Sequence, residues 1–174
     1  MNNEFEIMNF DSKEDLIEQA QNRFLVYGNL DNANRFESIN IHKSGFQCGI
    51  VYNYSGIKPE IVLAKNKIAF IGFDKSILCI DLETKQLISE NIKGSLFYEF
   101  INIPIKFLIV VIFELDLLVM NYDGDIIWSI GFRDIIEDFN VEHNDLINIK
   151  CSDEEKFKFD LLTGTYIDWK SFVT

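Results

Sequence analysis

The sequence predicts a mainly β chain, built from antiparallel β-sheet repeats and preceded by one N-terminal helix. Three observations carry that prediction. A strand-and-turn pattern recurs with a period of 39 residues. Within it, apolar and polar residues alternate with a spacing of two. One segment near the start instead shows apolar residues three and four apart, the spacing of a helix face.

The helix is expected over residues 12–24. Asp11 and Ser12 offer a side-chain acceptor at its start, and Glu14 and Asp15 put carboxylates in the first turn, where the helix dipole favours them. Leu16, Ile17, Ala20 and Phe24 mark its apolar side. Residues 28–34, rich in Gly, Asn and Asp, form a loop by composition. A strand follows from Phe46 to Tyr54, closed by Ser55 and Gly56.

The period emerges when segments beginning at Ile68, Phe107 and Leu146 are aligned, since their starts are 39 apart twice. Each holds an apolar strand, a polar turn, a second strand, a second turn and a third strand. The first turns are 74–76, 114–116 and 153–155. The second turns run from Asp81, Asn121 and Asp160, each an Asp or Asn ahead of a position where Gly or a neighbour supplies positive φ. Alternation is cleanest in the third unit, with Ile147, Ile149 and Cys151 opposite Asn148 and Lys150, and Phe157 and Phe159 between lysines. The segment FLIVVIF at 107–113 is apolar on both faces, as a strand covered on both sides would be.

A chain of 174 residues fits one domain, here divided into a helix with its lead-in (1–30) and the repeat region (46–174). The hydrophobic content of 48 %, with 16 Phe, supplies a packed core and excludes a disordered chain. Cys48, Cys79 and Cys151 are odd in number and far apart, and read as small buried hydrophobes. The acidic start lacks the pattern of a secretion signal, so cytoplasmic residence is expected. FLIVVIF is too short to span a membrane, and the weight of Ile, Asn, Lys and Phe favours a bacterial source.

A unit of about 40 residues with short antiparallel strands and the turn Asp160-Leu161-Leu162-Thr163-Gly164 resembles one blade of a β-propeller of the WD or quinoprotein type. The match covers residues 60–169. Lys85 stands where the turn pattern has Gly, the Trp-Asp dipeptide is absent, and Trp128 and Trp169 follow their strands loosely as in the quinoprotein pattern. Three units, with at most a partial fourth from 24–57, imply an incomplete propeller-like array whose exposed edge the helix covers. The competing architecture is an ordinary meander or sandwich.

The net charge of -12 is uneven. Residues 1–20 carry -5, residues 21–120 balance, and residues 121–174 carry -7. Such a surface repels phosphate backbones, which excludes direct nucleic-acid binding, and accelerates encounter with a basic protein. His42 and His143 are too far apart in sequence for a metal spacing, and no nucleophile elbow or phosphate-binding loop is present, so neither metal, cofactor nor catalytic residue is expected. The candidate partner-binding residues are Asp134, Glu137, Asp138, Glu142, Asp153, Glu154 and Glu155, with Trp128 and Phe132 as aromatic anchors. In a short helix, Asp134, Glu137 and Asp138 would share a face. The size, acidity and repeat style resemble bacterial immunity proteins of contact-dependent inhibition and other polymorphic toxin systems. That resemblance implies a non-enzymatic inhibitor that occludes the active site of a basic toxin, such as a nuclease. The alternatives are a general β-repeat interaction scaffold and a carbohydrate-active hydrolase using rim carboxylates.

Overall fold

The computed structural model describes residues 4–21, 23–29, 31, 33–65 and 67–167. The chain forms β1 (Phe5–Phe10), α1 (Lys13–Ala20), β2 (Val26–Gly28), β3 (Arg35–Ile41) and β4 (Phe46–Tyr52), whose strands make a first sheet in the order β1-β3-β4-β2. β5 (Glu60–Ala64), β6 (Ile68–Phe73), β7 (Ser76–Asp81) and β8 (Gln86–Ile92) form a second sheet in chain order, and β9 (Phe97–Ile103), β10 (Leu108–Phe113), β11 (Asp116–Asn121) and β12 (Ile126–Gly131) a third. β13 (Ile136–Glu142), β14 (Leu146–Cys151) and β15 (Lys156–Asp160) make the fourth, where Tyr166 bridges to Phe159 beyond β15. Every strand pair is antiparallel except β2 with β4.

The sheets stack face to face, and three apolar clusters fill the gaps. Ile39, Cys48 and Ile50 of the first sheet meet Ala69, Ile71 and Leu78 of the second. Phe70, Ile77 and Cys79 on the second sheet's other face meet Phe97, Val111 and Phe113 of the third. Val110, Ile112 and Val119 then meet Ile147, Ile149 and Phe159 of the fourth. Alternation at a period of two sends successive residues of one strand into successive clusters. This explains all of FLIVVIF but its first residue: the six residues of β10 are buried because sheets cover both faces, whereas Phe107 lies in the turn before it and is 51 % exposed. Among the described residues, no such cluster joins the first sheet to the fourth.

The two ends of the stack are finished differently. Gly49 points away from the second sheet, and a Cβ there would lie 3.3 Å from Leu16 and from Phe24, so α1 and the turn after it cover the outer face of the first sheet. Ser12 accepts the Asp15 amide at 3.1 Å and caps the helix as expected. The helix ends at Ala20, before Phe24, because the backbone of Gln21 leaves the helical region with a ψ of 106°. Leu16 and Ala20 are buried as expected, whereas Ile17, also expected on the apolar side, is 41 % exposed and lies outside the face that packs. The outer face of the fourth sheet carries Asn148, Lys150 and Lys158 instead.

The repeat units are longer than the sequence pattern indicated. Each sheet begins one strand earlier, at β5, β9 and β13, and the partial fourth unit is a full four-stranded sheet completed by β1. The second turns follow one plan. Asp81 accepts the amides of Glu83 and Thr84, Asn121 those of Asp123 and Asp125, and Asp160 those of Leu162 and Thr163. Positive φ falls on Lys85, Gly124 and Gly164.

Candidate functional site

The structure brings most of the predicted acidic residues to one end of the fourth sheet. Residues 136–142 form strand β13, not a helix, so Asp134, Glu137 and Asp138 do not share a helical face. A bulge does the gathering: Ile136 pairs with Cys151 and Asp138 with Lys150, leaving Glu137 as the extra residue. The Lys150 ammonium lies 2.9 Å from Glu137 and 3.2 Å from Glu154. Ser152 donates from its amide to the Ile135 carbonyl and from its hydroxyl to Asp134, tying the 152–155 turn to the segment before β13. Asp153 accepts the Glu155 amide within that turn.

Glu142 lies elsewhere, at the far end of β13. Its carboxylate is 2.7 Å from Lys158, and the hydrogen bond from that ammonium, then one from Asn148, holds it below the usual carboxylate range. Trp128 and Phe132 are half-buried between the third and fourth sheets, on the side of the fourth sheet opposite its lysines. Trp128 donates from Nε1 to the Leu161 carbonyl at 2.9 Å, and its ring covers Gly164, where a Cβ would approach to 2.7 Å. Phe132 packs on Phe157 and Phe159. Both residues join sheets and are not surface anchors beside the acids. The exposed apolar residue amid the carboxylates is Ile135. Trp169 lies outside the described residues.

The structure holds a second site to which no motif in the sequence points. A cleft of about 550 Å³ opens on the first sheet beside the segment leading into β5, lined by Ile7, Asn9, Arg35, Glu37, Tyr52, Tyr54, Lys58 and Pro59. Arg35, Glu37, Ile39 and Ile41 alternate onto one face of β3; the two isoleucines enter the core, and the two charged residues line the cleft. Glu37 is only 7 % exposed, and its Oε2 has no hydrogen-bond partner. Burial pushes its carboxyl above the ordinary range, opposed by a hydrogen bond from Tyr52 and by the charges of Arg35 and Lys58. Burial, then the charge and hydrogen bond of Glu37, raises the Tyr52 phenol in turn. The Arg35 guanidinium sits 5.0 Å from the centre of the Tyr54 ring. The signal in the sequence was two charged residues in phase with the buried side of RFESINI.

Among the described residues, no group of three or more His, Cys, Asp or Glu is placed to hold a metal ion, and no helix is long and apolar enough to cross a membrane. His143 is exposed in the β13–β14 turn with φ of 53°.

No protein-family model and no curated protein matches the chain. Solved structures do. Dihydro-heme d1 dehydrogenase NirN, solved in complex with DHE, aligns over 76 % of this chain and 32 % of its own, with a TM-score of 0.52 and 11 % identity. The computationally designed Ika4 protein aligns over 66 % of this chain and 73 % of its own, with a TM-score of 0.50 and 17 % identity. This chain thus spans about a third of the length of the first. At such identities the likeness concerns fold alone, and with the four stacked sheets it defines a propeller-like blade arrangement.

Proposed function

We propose that the chain is a non-enzymatic immunity-type protein that binds a basic protein toxin and occludes its active site through the outer end of the fourth sheet. The supporting observation is the convergence there of Asp134, Glu137, Asp138, Asp153, Glu154 and Glu155 from the segment before β13, the bulge and the β14–β15 turn. Lys150 engages only two of the six. Gathering like charges costs folding free energy that a basic partner would recover on binding. Against a nuclease, the carboxylates would stand where substrate phosphates bind. Ile135 supplies apolar surface within the patch, and Glu142, paired to Lys158, lies outside it.

The test is to mix the protein with basic toxins encoded beside its gene. Stoichiometric binding is expected, with an association rate that falls as salt rises and that drops when Asp134, Asp138 and Asp153 are changed together to Asn. Neither binding nor protection of toxin-expressing cells would end this reading. The hydrolase alternative has less support, because Asp153 and Glu154 are engaged locally by the Glu155 amide and Lys150.

A further inference from the structure

The cleft on the first sheet is built from both signs of charge. Arg35 and Glu37 project from the same face of β3, about 6.6 Å apart along the strand, and Lys58 approaches from the segment leading into β5. Among the described residues neither cation forms an ion pair with Glu37, and the Arg35 guanidinium is directed over the Tyr54 ring instead. Glu37 Oε2 is buried without a hydrogen-bond partner, with Tyr52 beside it in the cleft lining. A buried carboxylate oxygen left unpaired costs free energy that a bound donor would remove.

Simple ligands fit this set poorly. An anion would meet Glu37, a cation would meet Arg35 and Lys58, and a neutral molecule would desolvate all three charges without pairing any. A molecule carrying both signs a few ångströms apart pairs each group. The volume, about 550 Å³, lies within the ordinary range of small-molecule sites. We propose that this cleft binds a small zwitterion of the α-amino acid class, with its carboxylate toward Arg35 and Lys58, its ammonium toward Glu37, and Tyr52 and Tyr54 alongside.

The test is a titration of the intact protein with each of the twenty common L-amino acids, followed through the NMR signals of Tyr52 and Tyr54. At least one is expected to shift those signals saturably. Its N-acetyl and methyl-ester forms, which lose the ammonium and the carboxylate respectively, should each bind about tenfold or more weaker. Glu37→Gln should weaken the free amino acid but not the N-acetyl form. Lys58→Gln, at an exposed position, should weaken the free amino acid and not the methyl ester, and so serves if the buried variant misfolds. No response to any amino acid, or equal affinity for free and blocked forms, overturns the proposal. This result is independent of toxin binding, which concerns the opposite end of the stack.

Discussion

Glu37 is where folding and ligand chemistry pull hardest against each other. A carboxyl whose native pKa is raised binds its proton more tightly folded than unfolded. Stability is therefore greatest below the unfolded value, near 4.5, and falls as pH climbs from there through the higher native value. Glu37→Gln removes the ionisable group at nearly constant shape, so the ligand-free variant should have a higher Tm than the parent at pH 8, with the gap closing by pH 4. Thermal melts at the two pH values check this, and a lower Tm at pH 8 would contradict it. The cysteines make the opposite case, since burial pushes the thiols of Cys48 and Cys79 up to about 12 and that of Cys151 to about 11. Neutral, buried thiols are poor nucleophiles. A disulfide-exchange dye should label none of the three in the native protein and all three in denaturant, and rapid native labelling of any one would refute its burial.

The turns that follow the third strand of the second and third sheets, and the last strand of the fourth, carry more of the architecture than their length suggests. For Asp160, burial pushes the carboxyl up, but hydrogen bonds from the Thr163 amide and hydroxyl and the Leu162 amide outweigh it and leave the pKa lowered. Asp160→Ala loses these bonds and should cost about 1–2 kcal/mol. Gly164→Ala combines a φ of 68° with a Cβ 2.7 Å from the Trp128 ring, and should cost about 1–3 kcal/mol. Urea unfolding measures both, and a neutral Gly164→Ala would mean that the Trp128 contact is dispensable. Such turns were legible in the sequence because their chemistry is local: an Asx side chain serves amides two to four residues onward. The strands opening each sheet were not. β13 holds a bulge that breaks the period-two pattern and makes IIEDF resemble a helix face, while β1 pairs with β3 across α1, β2 and a loop, which no local signal reports. The carboxylate patch was therefore named from charge but given the wrong local structure. The cleft is not legible in the sequence because its residues come from β1, β3, β4 and the approach to β5.

At the scale of the molecule, among the described residues the apolar clusters join each sheet only to its neighbours in chain order, so stability should behave as a nearly one-dimensional sum of sheet and interface terms. The inner sheets are held from both sides. Their gap is filled by aromatic rings, with Phe97 4.8 Å from Phe100 and 5.9 Å from Phe113, centre to centre. Among the described residues the fourth sheet has one neighbour, three strands and a polar outer face, and its contact with the third depends on Phe159 among Trp128, Phe132 and Tyr166. Phe97→Ala should destabilise the whole array by about 3–5 kcal/mol and accelerate amide exchange throughout. Phe159→Ala removes a comparable ring from the end interface, so exchange should quicken at Ile147 and Ile149 while β6 and β10 keep their protection, the sign of a terminal sheet opening alone. Native-state hydrogen exchange separates the cases. If Phe159→Ala accelerated β6 as much as β14, the four sheets would unfold as one cooperative unit, and the acidic end could not open independently of the cleft.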